Sequence, residues 1–543
     1  MKRSPPPPPT HTPSSHTHER PTPGRHPLSP GRALALPSVF AAALASYLLL
    51  DPIHQRPGLL WAFVGAVTVL VAWGALLYGA SVRASRTLIV EVAIRKHHWV
   101  QALAQVVVYA WWGWHARFVY AFLPLILAQV LFAYAVDALL TWSRRDTWYL
   151  GFGPLPVVLS VNLFLWFRPD WFHWQFAIIL VGYLGKELIR WHRGDRSAHI
   201  FNPSSFPLAV FSLALILTGT SDITLGREIA NTQFDAPHIY LVIFLASLPG
   251  QVLFGVARMT MPAVVTMYLV SMGYFEITGT YLFYDVHIPV PVFLGMHLLF
   301  TDPSTSPRSE SGRILFGVMY ALGTIFFWVL LSSHGVPTFY DKLLPVPLMN
   351  LTVRAIDRLV KAKPLAALDP TRIGASLSTV GRHAAYTTIW AGAFVALLAV
   401  QGVGDEHPGQ YLPFWEDACE AGSRRACEYQ SFLEFVYCTN GSAWACNEWA
   451  IGEVREDPRT ALQAFRRACE RNYEPACGNA ERLAEGARNA GTWARSLPPA
   501  GELPILLRGT KPPLEERDPE RLRALACDQG WDELCSAGID AFR

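Results

Sequence analysis

The eight cysteines of this 543-residue chain all lie in its last quarter and recur at a single spacing. They form four C-x(7)-C pairs, namely Cys419 and Cys427, Cys438 and Cys446, Cys469 and Cys477, and Cys527 and Cys535. Paired thiols either coordinate a metal or form a disulfide, and zinc sites place their cysteines only about two to four residues apart. A glycine or asparagine three residues after each first cysteine allows a helix to end and the chain to turn back. Each pair is therefore expected to staple a helix hairpin with a disulfide, which requires an oxidising compartment.

Two stretches in the middle of the chain combine a proline with amide, carboxyl and hydroxyl side chains, and they begin at His199 and His297. Their candidate cofactor-binding residues are Asn202, Ser204, Ser205, Asp302, Ser304 and Thr305. Because proline interrupts a helix, free N–H groups and hydroxyls there can bind a phosphate, a carboxylate or a ribityl hydroxyl. Matching interruptions in two halves of a membrane domain indicate an internal repeat with a shared site. The alternative, which stays open, is that both stretches only cap helices.

One carboxylate, Asp137, lies inside a long apolar segment, where a charge is costly to bury. It is predicted either to line an ion path or to form an ion pair with Arg144 or Arg145, and both alternatives stay open. No two histidines have the helical spacing of metal ligands, so no metal site is predicted. The formal net charge of +3 is small and no zinc-finger or recognition-helix pattern occurs, so no nucleic-acid partner is expected.

The segments that would position these residues are apolar and helical. Hydrophobic residues make up 51% of the chain and charged residues only 16%, and the mean hydropathy of +0.23 is typical of a membrane protein. Thirteen spans are predicted, centred near residues 42, 69, 106, 130, 160, 180, 211, 247, 269, 295, 322, 348 and 393. The tenth and twelfth are short and contain prolines, so whether they cross fully stays open. The expected fold class is all-α, a polytopic transmembrane helical bundle with an internal repeat plus a C-terminal α-solenoid of disulfide-stapled hairpins.

Lysine and arginine cluster in every second connection between these spans, which places those connections in the cytoplasm. The N-terminus is then cytoplasmic, and an odd number of spans through a bacterial inner membrane puts the cysteine-rich region in the periplasm. The expected divisions are a disordered cytoplasmic tail (1–32), two spans (33–94), a membrane domain (95–362), a cytoplasmic linker (363–383), a final span (384–403) and a periplasmic repeat domain (404–543).

The membrane domain resembles the RnfD/NqrB family, whose members are membrane components of Rnf-type electron-transport complexes and of the sodium-pumping NADH:quinone reductase. The matching motifs are Asn-Pro-x-x-Phe at Asn202, Thr-Asp-Pro at Thr301 to Pro303, Gly-Arg-Ile-Leu-Phe-Gly at Gly312 and LPVPLMNLTVRAIDRL from Leu344. The resemblance covers residues 95–362. It implies a two-repeat helical fold that holds flavin in the membrane and passes electrons between partner proteins.

The same resemblance points to one threonine. Members of the family carry FMN through a phosphoester on the threonine of a Ser-Gly-Ala-Thr-like motif. The nearest counterpart here is Thr224, in Ser221-Asp222-Ile223-Thr224, where the glycine and alanine are missing and Asp222 would repel a phosphate. Covalent FMN, non-covalent flavin, a quinone and a relative without redox chemistry are all compatible with these residues.

The cysteine-rich region, about residues 411–535, resembles the Sel-like repeats, relatives of the tetratricopeptide repeat. The resemblance is carried by segments such as Asp457 to Cys477 and Asp518 to Cys535. Such solenoids present a surface to proteins or peptides, which implies partner membrane or periplasmic proteins. Three hypotheses follow: a flavin- or quinone-linked electron-transfer protein of a larger complex, a non-redox transporter on the same fold, or a membrane-anchored interaction protein.

Overall fold

A computed structural model describes residues 25–489, except 194–195, 235, 284–285, 363–369, 371–376, 406, 408, 410–411, 440 and 456. Over these residues the chain forms twenty α-helices and five short strands, so the predicted all-α class is confirmed. The fourth predicted disulfide, between Cys527 and Cys535, and most of the predicted N-terminal tail lie outside the described residues.

Fifteen of the described helices belong to the apolar bundle and five to the cysteine-rich domain. Those of the bundle are α1 Pro30–Ser46, α2 Asp51–His54, α3 Pro57–Arg83, α4 Lys96–His115, α5 Phe118–Arg144, α6 Pro154–Asn162, α7 His173–Leu188, α8 Ser205–Thr218, α9 Gly226–Phe234, α10 Ile239–Phe254, α11 Ala257–Thr278, α12 Val290–Leu298, α13 Glu310–Ser333, α14 Pro345–Leu359 and α15 Thr379–Ala399. Those of the domain are α16 Leu412–Glu420, α17 Arg424–Thr439, α18 Ala443–Glu453, α19 Pro458–Glu470 and α20 Glu474–Asn489. Every predicted span centre falls within a helix.

Length and apolar composition mark four of the described helices as able to cross a membrane: α3, α5, α13, and α1 with the turn that follows it (Pro30–Leu49). The number becomes five if α9 and α10, which are bent by 96° from each other, form one broken span. These helices indicate a membrane protein but support fewer spans than the thirteen predicted. The nine residues of α6 or α12 extend roughly 14 Å, about half of a ~30 Å hydrocarbon core. A helix buried inside protein is as apolar as one in lipid, so hydropathy alone does not separate the two.

Five short strands lie at one end of the bundle, which we call the strand end. β1 (Arg25–Leu28) pairs antiparallel with β2 (Leu88–Val92), β2 pairs parallel with β3 (Thr147–Leu150), and β4 (Arg190–Arg193) forms a hairpin with β5 (Arg196–His199). The registers place Leu28 opposite Leu88, Ile89 opposite Thr147 and Arg190 opposite His199. None of these strands was predicted, and β1 lies in the segment that was predicted to be a disordered tail.

Two groups of five helices, α4 to α8 and α10 to α14, repeat the same contacts. In the first group α4 packs on α6, α5 on α7 and α7 on α8, and in the second α10 packs on α12, α11 on α13 and α13 on α14. The third helix of each group is the nine-residue one, and non-helical chain follows it. α4 also packs against α10, so the groups meet along their first helices.

The two groups run in opposite directions along the bundle. α4 and α8 begin at the strand end, directly after β2 and β5. α10 and α14 end there, as shown by the hydrogen bonds Arg354 to the His192 carbonyl, Arg308 N–H to Asp357 and Arg313 to the Phe254 carbonyl. Each helix of one group is therefore antiparallel to its counterpart in the other.

The cysteine-rich domain is a series of helix hairpins closed by disulfides. Its described disulfides are Cys419–Cys427 between α16 and α17, Cys438–Cys446 between α17 and α18, and Cys469–Cys477 between α19 and α20. The residues predicted to turn the chain have left-handed backbone angles, with φ of 94° at Gly422, 110° at Gly441 and 62° at Asn472. Three of the four predicted disulfides are thus confirmed, and they indicate an oxidising compartment.

The bundle and the cysteine-rich domain have separate hydrophobic cores. The domain rests on the end of the bundle opposite the strands, which we call the far end. There the Arg425 guanidinium donates to the carbonyl oxygen of Leu282 (2.7 Å) and lies 5.3 Å from the centre of the Tyr274 ring. Asp405 pairs with His238 at 3.0 Å. Polar and aromatic contacts therefore attach the domain to the helices.

Candidate functional site

Asn202 joins the two proline-containing stretches at the strand end. Its side-chain amide donates to the carbonyl oxygen of Leu299 (2.9 Å), directly after α12. Asn350 of α14 accepts from the N–H of Asn202 (3.2 Å) and donates to the carbonyl oxygen of Thr305 (3.1 Å). We call Asn202, Leu299, Thr305 and Asn350 the clasp. Because it connects α8 with the chain after α12 and with α14, the two stretches lie together, between the two groups of helices.

The hydroxyl side chains near the clasp take part in local turns. The side-chain oxygen of Asn202 accepts from the N–H (2.9 Å) and the hydroxyl (2.8 Å) of Ser204 and from the N–H of Ser205 (3.2 Å). Asp302 accepts from the N–H (2.9 Å) and the hydroxyl (2.8 Å) of Ser304. The Asn202 contacts lie just before α8, as the helix-cap alternative predicted, whereas the Asp302 contacts close a turn in the non-helical chain between α12 and α13. They do not remove the residues from a binding role, because four of these five also line a cavity.

A cavity of about 260 Å³ opens beside the clasp at the strand end. Its walls come from the start of α4, from α5 and α7, from β5 and from the chain after α12. Its ionisable side chains are Arg95, His97, His98, Asp137, Arg145, Lys186, Glu187, Arg190, His199 and Asp302. Four permanent cations thus face three carboxylates, and three imidazoles add to the wall.

Two glycines let the turns around the cavity come together. A Cβ atom at Gly151 would lie 2.3 Å from the carbonyl oxygen of Ala93, which is an impossible contact. A Cβ atom at Gly153 would lie 3.3 Å from the His98 ring. The turn after β3 therefore presses directly on the turn after β2, and this contact positions the first residues of α4 beside the cavity.

Asp137 pairs with Lys186, which was not among its predicted partners. Its carboxylate lies 3.0 Å from Lys186 Nζ of α7, and the expected partners Arg144 and Arg145 do not pair with it among the described contacts. The indole N–H of Trp148 donates to its other oxygen (2.9 Å). Residues 144–145 lie two helical turns further along α5, whereas packing of α7 on α5 brings Lys186 alongside. Asp137 therefore forms an ion pair, as one of the two alternatives predicted, but its partner is Lys186 and not Arg144 or Arg145.

Glu187 forms the second ion pair of the cavity wall. Arg145 Nη2 lies 2.5 Å from its carboxylate and Arg190 Nη1 lies 3.9 Å away. The Glu187 side chain is only 10% exposed, so these cations compensate a largely buried charge. Arg95, in contrast, has no carboxylate partner among the described residues, and its guanidinium lies 5.8 Å from the centre of the Tyr149 ring.

His199 of β5 links the first stretch to Asp302. Its Nε2 atom lies 3.0 Å from the Ser304 hydroxyl and 3.9 Å from the Asp302 carboxylate. Burial by itself would raise the pKa of Asp302, which lies beyond the end of α12. The hydrogen bond and charge of His199 and the two hydrogen bonds from Ser304 outweigh burial and hold this pKa well below its ordinary value. Asp302 is therefore an ionised acceptor near neutral pH.

Thr224 lies apart from the other six predicted cofactor-binding residues. α8 runs 14 residues from Ser205 to Thr218, roughly 20 Å, and Thr224 follows beyond its far end. The residue is only 3% exposed, and its hydroxyl donates to the carbonyl oxygen of Ser221 (2.8 Å). The Thr224 hydroxyl is thus largely covered in this structure and lies at the opposite end of α8 from the clasp.

Arg95, His97 and His98 line the cavity although they were not predicted as site residues. A signal was present, because the β-branched run Leu88–Val92 before them favours a strand. A strand followed by a helix would have placed the first residues of α4 at a turn, where binding residues are common. Among the described residues, no three histidine, cysteine, aspartate or glutamate side chains are grouped as metal ligands.

Comparison of the chain with protein-family models, with curated proteins and with solved structures finds no match. The resemblances to the RnfD/NqrB family and to Sel-like repeats therefore remain predictions that rest on the motifs. The candidate site is defined by its geometry alone: a polar cavity at the strand end, between two antiparallel groups of helices and next to the clasp.

Proposed function

We propose that the protein is a membrane-embedded electron-transfer component of the RnfD/NqrB kind that holds a flavin or a quinone without a covalent bond. The clasp is the observation that carries this proposal. Three motifs of the resemblance, at Asn202, at Thr301–Pro303 and at Asn350, meet around it. The fourth is adjacent, since a Cβ atom at Gly312 would lie 3.3 Å from the Ile356 side chain of α14. Motifs that serve one site are expected to converge in this way.

The helix arrangement supports the layout that belongs to this proposal, a polytopic bundle built from an inverted repeat. The groups α4–α8 and α10–α14 have matching contacts and opposite directions. Each contains a nine-residue helix continued by non-helical chain. Broken helices that meet between inverted repeats are typical of membrane proteins that bind a ligand within the bilayer.

We also propose an orientation, with the strand end in the cytoplasm and the far end in the periplasm of a bacterium. Arg83, Arg86, Arg95 and Lys96 lie in the connection at the strand end, which the positive-inside rule favours for the cytoplasm. The disulfide-containing domain rests on the opposite end and needs an oxidising compartment. These two arguments are independent and agree.

The charges of the cavity support an anionic or strongly polar ligand. Lys186 and Arg145 are each paired with a carboxylate, while Arg95 has no such partner among the described residues. The ribityl and phosphate groups of a flavin, or the carbonyl oxygens of a quinone, are acceptors that these donors suit. The isolation of Thr224 favours non-covalent binding.

A non-redox transporter is the second candidate, and the broken helices favour it. Such helices line substrate paths in transporters with inverted repeats, and the Asp137–Lys186 ion pair lies on the wall of the cavity between them. Under this hypothesis the wild-type protein in proteoliposomes carries sodium, potassium or chloride, and Asp137→Asn abolishes that flux. An unchanged flux, or none in the wild type, removes this candidate.

The cysteine-rich domain supports an additional role in docking, and by itself it favours the third candidate, a membrane-anchored interaction protein. Two aromatic side chains of α17 are left largely uncovered, with Phe432 54% and Phe435 42% exposed. Exposed aromatic residues are frequent anchors of protein interfaces. If the domain from Gly404 onward captures the same periplasmic partners as the full-length chain, the docking role is supported, and loss of capture contradicts it.

Extraction of bound cofactor tests the proposed function. The purified full-length protein should release flavin or quinone in an amount near one molecule per chain. Lys186→Gln should lower this occupancy because Lys186 lies on the cavity wall, whereas the exposed Lys361→Gln just after α14 should not. Melting temperatures identify a variant that has simply unfolded. A protein that releases neither flavin nor quinone contradicts the electron-transfer proposal.

A further inference from the structure

Two phenylalanine side chains of α17 are largely uncovered in the cysteine-rich domain. Phe432 is 54% exposed and Phe435 is 42% exposed. Phe432 stacks on Tyr429 with ring centres 5.8 Å apart, and the Phe435 ring lies 5.0 Å from that of Trp449. Exposed apolar groups that lie together on a folded domain mark contacts with another protein or with a membrane. The position of α17 against the bundle distinguishes these two occupants.

α17 begins at the depth of the last turns of the bundle helices. The Arg425 side chain donates to the Tyr274 hydroxyl, and its guanidinium lies 5.6 Å from the centre of the Trp328 ring. Tyr274 lies four residues before the end of α11, and Trp328 lies five residues before the end of α13. The 24 residues of α13 extend roughly 36 Å, only a few ångströms beyond a ~30 Å hydrocarbon core at each end. The start of α17 therefore lies at the boundary between acyl chains and headgroups.

The hairpin of α16 and α17 lies along the far end of the bundle instead of standing away from it. Trp415 contacts Tyr429 with ring centres 4.6 Å apart, so Phe414 of α16 lies opposite the middle of α17. The Phe414 ring also packs on the bundle, 6.1 Å from that of Phe275 in α11. Because the start of α17 and the residue opposite its middle both contact the bundle, α17 runs nearly parallel to the membrane surface.

Phe432 projects from the same face of α17 as Arg425. Seven residues are almost two helical turns, so Phe432 lies in line with Arg425 and about 10 Å further along the helix. Arg425 points into the bundle end, whereas Phe432 is left exposed and has passed beyond the rim of the bundle. At that rim Ile277, in the last turn of α11, is 86% exposed, as expected for a side chain that faces lipid. The apolar face of α17 thus extends the lipid-facing surface of α11 at the same depth.

We infer that α17 lies on the far-end surface of the bilayer and inserts Phe432 and Phe435 between the lipid headgroups and the acyl chains. An amphipathic helix in this position buries its apolar face about 5–10 Å into the boundary. Lipid would then hold the cysteine-rich domain against the membrane together with the contacts of Arg425. The inference requires only that the bundle crosses a membrane, which its long apolar helices indicate, and it is independent of electron transfer.

Nitroxide labels on the full-length protein in lipid nanodiscs test this inference. The described cysteines all form disulfides, so an introduced cysteine supplies the thiol for the label, and labelling of the wild type gives the background. The test positions are Phe432→Cys and Phe435→Cys. The lipid control is Phe326→Cys, on the exposed face of α13, and the water control is Gln463→Cys, at an exposed position of α19. Electron paramagnetic resonance measures collisions of each label with oxygen, which dissolves in acyl chains, and with a water-soluble nickel chelate.

The labels at positions 432 and 435 should lose access to the nickel chelate and gain access to oxygen relative to position 463, so that they resemble position 326. Access to nickel equal to that at position 463 would overturn the inference. Loss of access to both reagents would also overturn it, because protein would then cover this face, as the third candidate function requires. Both phenylalanines are exposed, so the variants should melt as the wild type does, which confirms that the labels report on the folded protein.

Discussion

Removing the Cys438–Cys446 disulfide should lower the free energy of unfolding of the cysteine-rich domain through two contributions, loop entropy and lost buried volume. The two residues are eight apart in the chain, and the loop entropy of a bridge over that distance corresponds to about 2.5 kcal/mol. The cysteines are only 4% and 0% exposed, so the double change to alanine also removes buried volume, worth about 1 kcal/mol more. The double variant should therefore lose roughly 3.5 kcal/mol.

Native-state proteolysis of the full-length protein measures this loss. When opening and closing are fast, the cleavage rate follows the open fraction, and 3.5 kcal/mol corresponds to an increase of about 300-fold. The matched control is Cys419→Ala with Cys427→Ala, whose half-buried thiols leave mainly the entropic part, about 60-fold. Cleavage rates within twofold of the wild type in both variants would refute the hairpin-staple reasoning.

Three further predictions concern the bundle, and melting curves in detergent measure each of them. Asn202→Ala should destabilise by about 3 kcal/mol, since it removes the clasp's buried hydrogen bonds, whereas the exposed Asn231→Ala should change little. Because folding lowers the pKa of Asp302, the ionised carboxylate stabilises the folded protein fully above the unfolded pKa of about 4. This stabilisation is lost as the pH falls from there toward the folded pKa. Asp302→Asn should remove this acid-dependent part, and an identical pH profile would contradict the assignment. Gly317→Ala should cost at least about 2 kcal/mol, because the new Cβ would lie 2.3 Å from a carbonyl oxygen of α11, while Gly273→Ala, with open space around it, should not destabilise.

Local signals in the sequence were sufficient to predict the hairpins of the cysteine-rich domain. The two cysteines of a pair and the turn residue between them lie within nine residues, as with Cys419, Gly422 and Cys427. Helix positions were also predictable, because apolar runs mark helices whether or not they cross a membrane. The number of spans is harder to predict, because a short helix such as α12, whose nine residues are all buried, is nearly as apolar as a helix that crosses a membrane.

The candidate site was only partly predictable, because its key contacts join distant parts of the chain. The clasp connects Asn202 with Asn350, 148 positions away, and only the family resemblance pointed to both. The Asp137–Lys186 pair spans 49 positions, while the sequence suggested cations closer along the same helix. Thr224 was chosen by motif similarity, which carries no information about its distance from the cavity.

The visible absorbance spectrum of the purified protein tests the central claim most directly. The proposal predicts either a flavin band that bleaches on chemical reduction and returns on reoxidation, or an extractable quinone that is reduced and reoxidised in the same cycle. A protein without visible absorbance, without flavin fluorescence after denaturation and without quinone would contradict an electron-transfer function.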